Sequence, residues 1–486
     1  MSAIIAVLNK KNQNATATTL KMLKALKPKN AENFGIASSS TIKIGKDIND
    51  LRTQEINSHI AIGHIFSKII SLDKPQPIRL ENATLVFDGR TYPPPEKLSA
   101  AEAVAKKLKK NHEETTETLV KETEGDFAFA IAEPEKLIGG RDSMGVRPLY
   151  YGENENFAAI ASARKALWKI QIEKTNSFPP GHVAVIDKEG FKFKPVKTLV
   201  YSEPRRMTMQ AAATELQTLL EHSVRERVLD LKEVAVAFSG GLDSSVIAFL
   251  AKKSNANVHL IHVSLENQAE TENVKKTAEE LKLPVNIYLF KEDNVEKTVP
   301  RVIRLIEESD PTKTSIGIPL CWTAEKAADM NFKVVLAGQG ADELFGGYKR
   351  YVDNYLMHGN EKTRKTIFND IIKLHETNLE RDFKILNFHN VELRLPFVTY
   401  KIAEFGADLP IELKIEPKQN TLRKLVLRKA AENLGLPQTI VEKPKKAIQY
   451  ATGTSHALKK IARKQKTTVK DYLNLIFQQI KMVNEP

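Results

Sequence analysis

The sequence predicts two domains of different class: an antiparallel α+β half, then a doubly wound α/β half with a parallel sheet and a helical C-terminal part. Three observations predict it. Short β-like runs alternate with turns up to about residue 198; the stretch 201–206 reads as a linker; beyond it, apolar strands alternate with helix-length periodic segments. At 486 residues the chain also exceeds one ordinary core, so two or three domains are expected.

In the first half, Ala3–Leu8, Ile60–Ile65, Thr84–Phe87, Phe127–Ile131 and His182–Ile186 read as strands, and Ala17–Leu26 and Ala100–Lys109 as helices. After the linker a periodic helix places Leu216, Leu219, Leu220, Val224 and Val228 on one face. Val234–Ala237, Val258–Val263, Val285–Phe290 and Lys333–Leu336 then read as strands of a sheet covered on both faces, separated by helices such as Glu270–Leu281. Ligands of such sheets sit beyond the carboxyl ends of the strands, where Ser239 and Gly338 fall. From about residue 350 the pattern is helical. The last 44 residues carry ten Lys/Arg and two acids, and the part beyond Thr454 reads as a solvated basic tail.

Composition, with 27% charged and 42% hydrophobic residues, indicates a soluble globular protein. A net charge of +13 suits an ATP-handling enzyme and an RNA-binding protein equally. The single cysteine, Cys321, excludes an internal disulfide framework and reads as a small buried hydrophobe. No apolar run approaches the roughly 18 residues of a membrane span, and the first residues lack the basic region of a signal peptide. A cytoplasmic protein is expected.

The chemistry concentrates in Phe238–Ser245, between the strand at 234–237 and a helix. Gly240 and Gly241 let backbone approach a ligand, Ser239, Ser244 and Ser245 add donors, and Asp243 can hold a divalent cation against phosphate. This reads as a pyrophosphate cradle, distinct from the Walker loop, which needs Gly-Lys-Ser/Thr. An ordinary glycine turn with a Ser/Asp cap is the bland alternative. A second segment, Gly338-Gln339-Gly340-Ala341-Asp342-Glu343 through Gly347-Tyr348, follows the last predicted strand. Asp342 either joins Asp243 on magnesium or simply complements a helix N-terminus.

These two segments resemble the synthetase domain of asparagine synthetases and their β-lactam-forming relatives, within the PP-loop ATP-pyrophosphatase superfamily. Arg381-Asp382 with Val391–Phe397 resembles the family's Val-Glu-x-Arg-x-Pro-Phe element, and Lys424–Arg428 with Leu436-Pro437 and Lys443-Pro444-Lys445 its closing element. The resemblance implies an ATP- and Mg2+-dependent ligase that adenylates a carboxylate, releases pyrophosphate and transfers ammonia. It implies Lys445 as the catalytic lysine, with Lys446 adjacent, and adenine against Val263, Ser264 and Leu265. Arg428 contacts phosphate or pairs with a carboxylate; Glu392 and Arg394 form a structural pair. Gln339 stands in the substrate-binding position where asparagine synthetases carry Glu, and 312–317 lacks the arginine expected near aspartate. Aspartate, or another carboxylate, is the expected acceptor.

In the first half, Glu124–Ala130 and Arg141–Tyr151 resemble the Gly-Asp-Phe-Ala and Arg-Asp-x-x-Gly-x-Arg-Pro-Leu-Tyr elements of the family's N-terminal-nucleophile glutaminase domain. That domain's nucleophilic cysteine is Ser2 here, its glutamine-binding arginine is Phe66, and its oxyanion-hole asparagine is Asp88; Asp126 alone is left for the glutamine amine. Ser2 could act with its own amine as base. A carboxylate beside a developing oxyanion is repulsive, however, and even losing one donor costs roughly 3–4 kcal/mol. The glutaminase is therefore expected to be lost. Expected boundaries are 1–198 for this domain, 209–455 for the synthetase and 456–486 for a basic extension. The partners expected are ATP, the carboxylate and ammonia, a separate ammonia-supplying protein, and a second copy in a homodimer; membrane and nucleic acid are not expected. A tRNA-modifying PP-loop enzyme and a regulatory pseudo-amidotransferase are the alternatives.

Overall fold

The computed structural model describes residues 2–26, 31–51, 55–419 and 421–483. The chain forms two compact units, one of residues 1–198 with 387–390 and 481–486, the other of 199–386 and 391–480.

The first unit stacks two antiparallel sheets between two helical layers. One sheet runs Asn176–Ser177, Tyr150–Glu153, Phe157–Ala161, Ala3–Asn9, Ile60–Phe66, Asn33–Ala37, Ile42–Gly45. The other runs Gly190–Pro195, His182–Asp187, Leu137–Arg141, Glu124–Ala132, Ala83–Tyr92, Ile78–Leu80. Alternation along Ala3–Asn9 explains the layering: Ile4, Ala6 and Leu8 face the second sheet's Val86, Ala128 and Ala130. Ala3, Ile5 and Val7 face the helices Thr16–Leu26 and Arg164–Trp168. The second sheet's outer side packs Phe87, Phe127 and Phe129 on the helices Ala100–Lys107 and His112–Glu122. Strands buried on both faces read as unbroken apolar runs, which is why this segment was conspicuous in the sequence.

The second unit is built on a five-stranded parallel sheet in the order Val285–Phe290, Asn257–Leu265, Glu233–Ala237, Val334–Leu336, Glu392–Arg394. Glu233–Ala237 pairs with Asn257–Leu265 on one side and Val334–Leu336 on the other, so the strand order reverses there. A crevice opens at such a switch point. Val285–Phe290 departs from the covered strand expected: it is the sheet edge, and Leu289 is 50% exposed. Glu392–Arg394 adds an edge strand that three residues of sequence could not reveal; its Arg394 Nε–Glu392 Oε1 contact of 2.7 Å makes the expected structural pair, extended by Asp230.

The solvated tail beyond Thr454 is corrected. Thr454–Lys464 is a helix that buries Ala457, Leu458, Ile461 and Ala462 against the helices Glu292–Ile306 and Pro311–Asp329. Lys459, Lys460, Arg463 and Lys464 occupy its exposed side, so the basic count had masked an amphipathic stripe. A last helix, Val469–Val483, follows and buries Leu473.

Candidate active site at the carboxyl ends of the parallel strands

Phe238 follows the strand Glu233–Ala237, and the helix Leu242–Lys253 begins four residues later. Its cap residue is Gly241, whose position brings no side-chain cap bond, so the first-turn N–H groups keep their anion-attracting character. Ser239 and Ser244 close the loop internally: their hydroxyl oxygens lie 3.2 Å apart, and Gly241 N donates to Ser239 Oγ at 3.3 Å. Ser245 is fully buried, and its Oγ has no partner among the described residues.

Gly338, two residues past the neighbouring strand Val334–Leu336, lies against this loop; a Cβ there would lie 2.9 Å from Asp243 Cβ, so only glycine permits the approach. Four residues on, Asp342 meets Asp243 across two lysines. Lys424 Nζ donates to both Asp243 oxygens, at 2.7 and 2.6 Å, and stands 2.6 Å from Asp342 Oδ1 as an ion pair without hydrogen-bond direction. Lys445 Nζ lies 2.7 Å from Asp342 Oδ2 and 3.8 Å from Asp243 Oδ2. Burial works to raise the Asp342 carboxyl, but the Lys424 and Lys445 charges outweigh it and hold it well below the usual carboxylate range. Burial likewise opposes the Lys445 charge, and Asp342 and Asp243 keep that ammonium above its usual range.

Nothing in the local sequence marks Lys424 as a site residue. It is 2% exposed with a left-handed backbone (φ 61°) at the start of the helix Leu425–Asn433. Gly347 makes room for it: a Cβ there would lie 1.9 Å from Asp342 Oδ1 and 2.4 Å from Lys424 Cε.

Arg428, expected on phosphate or a carboxylate, meets three backbone carbonyls. Its guanidinium donates to the carbonyls of Arg423 at 2.6 Å, Lys443 at 3.0 Å, and Val441. It thereby fixes the segment carrying Lys445. Lys443 Nζ donates to Gly240 O at 2.8 Å, tying that segment to the loop. Lys446 turns away to Glu270 at 3.0 Å, so the two adjacent lysines are separated by geometry. Val263 is buried on the strand beside the loop, opposite Tyr288, while the N–H of Leu265 is taken by Thr452 O at 3.0 Å.

Gln339 lies half-buried between Gly338 and Gly340, with its amide against Asp382. Asp382 is fully buried on the helix Glu380–Phe388 and accepts from Arg381 Nε at 2.6 Å. Arg381 also reaches Asn378 Oδ1 at 3.3 Å; Asn378 donates to Glu343 Oε1 at 2.7 Å, as Tyr348 OH does at 2.6 Å. A polar chain thus runs behind Asp342 from Tyr348 to Gln339.

A phosphate-type loop, paired acids and paired lysines at the switch point are the geometry against which the comparisons stand. The sequence profile described as Asparagine synthase matches residues 215–364 and 354–476, and one described as a Glutamine amidotransferase domain matches 70–169. A Methanocaldococcus jannaschii protein assigned as an asparagine synthetase (glutamine-hydrolyzing) is 30% identical over 99% of both chains. The chain belongs to the asparagine synthetase family. It is a carbon–nitrogen ligase of ATP-dependent amidotransferase type. The Triphysaria versicolor asparagine synthetase is 28% identical over 71% of this chain and 61% of its own. Among solved structures, the Bacillus subtilis glutamine phosphoribosylpyrophosphate amidotransferase aligns over 59% of this chain and 65% of its own at 14% identity and a TM-score of 0.34, too low to carry weight.

The amidotransferase unit of this asparagine synthetase relative places its remaining candidates as follows. Ser2 precedes the strand Ala3–Asn9, and Met1 lies outside the described residues. Phe66 is buried at the end of its strand. Asp88 is buried, and Arg147 Nη1 stands 3.5 Å from its Oδ1 while Arg147 Nε donates to Asp126 O at 3.2 Å. Asp126 accepts from Tyr92 OH at 3.3 Å. Asp142 accepts four backbone N–H groups, and burial, aided by the Asp126 charge, pushes its carboxyl up to about 6.

Among the described residues no group of three or more His, Cys, Asp or Glu side chains could hold a metal by itself, and no helix is long and apolar enough to cross a membrane. Two convergent carboxylates still fit magnesium, which takes one or two of them together with substrate phosphates and water.

Proposed function

We propose that residues 209–455 adenylate a carboxylate, aspartate first among candidates, and pass the acyl group to ammonia, giving an amide, AMP and pyrophosphate. The observation that carries this is the Asp243–Lys424–Asp342–Lys445 cluster beside the Ser239–Ser245 loop. The acceptor carboxylate attacks the α-phosphorus; the bond to the bridging oxygen of pyrophosphate breaks. The leaving group settles against the loop N–H groups and the hydroxyls of Ser239, Ser244 and Ser245. Lys445 faces charge developing on the α-phosphoryl, and Lys424 supplies a second fixed cation from below. Asp243 and Asp342 would hold Mg2+, which neutralises phosphate charge. Ammonia then displaces AMP from the acyl carbon and releases one proton.

The N-terminal unit, residues 1–198, is read as having lost glutaminase activity. A carboxylate at Asp88 beside Arg147, an aromatic at Phe66 and a serine at position 2 support this, against a relative named as glutamine-hydrolyzing. The donor is then ammonia, free or delivered by another protein. The test is pyrophosphate release from Mg·ATP with aspartate or other amino acids, and with ammonium or glutamine. Asparagine formed from ammonium and not from glutamine is the expected result. Glutamate appearing at the rate of amide formation refutes the lost glutaminase; ATP turnover dependent on tRNA and indifferent to amino acids refutes the ligase reading.

A further inference from the structure

Each sheet of this asparagine synthetase relative ends in two edge strands, and the outward N–H and C=O groups of an edge are a template for pairing with another chain. Most of these edges are blunted. Asn176–Ser177 has two residues, and Ile78–Leu80 and Glu392–Arg394 have three each, with Arg79, Glu392 and Arg394 among them. Ile42–Gly45 carries Lys43, and Gly190–Pro195 carries Lys192, Lys194 and Pro195. The remaining edge is different. Val285–Phe290 reads Val-Asn-Ile-Tyr-Leu-Phe over six residues, with no charge and no proline.

Its register shows which groups are free. Pro284 O accepts from Leu260 N at 2.9 Å and Phe290 O from Glu266 N at 3.0 Å, so every second residue from 284 to 290 turns its backbone towards the neighbouring strand. Val285, Ile287 and Leu289 turn theirs outward, where they meet no partner among the described residues. The side chains alternate as well. Phe290 stacks on Trp322 of the helix Pro311–Asp329 at 4.2 Å, and Tyr288 OH lies 3.2 Å from Met330 Sδ at that helix's end. Val285, Ile287 and Leu289 form an apolar row on the other face, and Leu289 is 50% exposed.

We propose that Val285–Phe290 is where a second copy of this chain binds, edge to edge and antiparallel, so that one parallel-stranded sheet continues into the other. An edge meets its own copy through a twofold axis perpendicular to the sheet, which makes the pair antiparallel. With the axis at Ile287, that residue faces Ile287 of the second copy, and Val285 faces Leu289 of the second copy. The outward groups of these three residues then exchange about six hydrogen bonds, and the apolar row runs unbroken across the axis. At its ends the exposed Lys282 of one copy comes to the Glu292–Asp293 end of the other, so opposite charges oppose slippage. One strand pair buries less than a standard interface, so a dissociation constant on the order of micromolar is expected. Such a dimer does not depend on the ligase reading.

The experiment is sedimentation equilibrium of the full chain from about 1 to 200 µM, where the wild type is expected to pass from monomer to dimer. Leu289→Lys puts a charge on the exposed row and is expected to weaken association at least about tenfold. Ile287→Pro removes one outward N–H, leaves the groups bonded to the neighbouring strand, and is expected to do the same. Leu289→Lys, at a half-exposed side chain, covers the case in which the proline variant fails to fold. Leu475→Lys, at a side chain 61% exposed on another element, is expected to change nothing. Cysteine cross-linking reads the register, since the natural Cys321 is buried. Hydrogen-bonded antiparallel partners place their Cα atoms about 5.5 Å apart, so Ile287→Cys is expected to give a covalent dimer on air oxidation, and Leu289→Cys is not. A chain that stays monomeric to about 200 µM overturns the proposal. So does a dimer that neither Leu289→Lys nor Ile287→Pro weakens, or one that Leu289→Cys links better than Ile287→Cys.

Discussion

Lys445 sits 2.7 Å from Asp342, whereas Lys446 pairs with Glu270 at 3.0 Å and is half exposed. Replacing Lys445 by Ala should therefore lower kcat for pyrophosphate release about 10²–10³-fold, as removal of one fixed stabiliser of transition-state charge does, while Lys446→Ala stays within about twofold. His64 makes a different statement at this scale. Its ring is fully buried with neither nitrogen partnered among the described residues, and burial pushes its pKa down to about 3 from 6.5. The unfolded chain then takes up the proton first, so the contribution of neutral His64 to stability is complete above pH 6.5 and is lost as pH falls towards 3. At pH 5 the loss is about 2 kcal/mol. His64→Leu should remove that slope, seen as a smaller change in unfolding temperature between pH 7 and pH 5 than in the wild type.

Elements, more than single residues, decide what reaches the site. The stretch from Lys349 onward contributes Lys424 only because Gly347 lets its side chain pass; Gly347→Ala puts a methyl 1.9 Å from Asp342 Oδ1 and should abolish pyrophosphate release even if the protein folds. The helix Thr454–Lys464 gives an equally direct check. Ile461→Ala should cost about 2–5 kcal/mol in urea unfolding, as for a buried core residue; a solvated tail would lose nothing. The elements also show what sequence could deliver. The glycine-rich loop, Asp342 and Lys445 were legible because each is local: a turn composition after a strand, or a motif at fixed spacing. Lys424 was not, because its role arises from packing against Asp243, 181 positions away. Arg428 carried the right residue type for phosphate, but local sequence does not mark its three carbonyl partners, Arg423, Val441 and Lys443.

At the scale of the whole molecule, both units were foreseeable as classes, since an antiparallel four-layer stack and a parallel sheet impose different periods on their sequences. The three-residue edge strand Glu392–Arg394 and the last two helices were not, because so short a strand and an amphipathic stripe hidden among lysines carry little local signal. The asparagine synthetase scaffold leaves one property that concerns selectivity. The site balances two carboxylates against two ammonium groups and so is electrically neutral. It behaves like an ion exchanger loaded with its own counter-ions. A bare polyphosphate drawing the lysines away would strand two buried acids, and a bare dication would strand two buried lysines; only a ligand carrying both signs completes the exchange. ATP titrated by calorimetry with a chelator present should accordingly bind at least about tenfold more weakly than Mg·ATP, and magnesium alone should bind weakly too. On the proposed function, the site would take its nucleotide as a salt, already paired with magnesium.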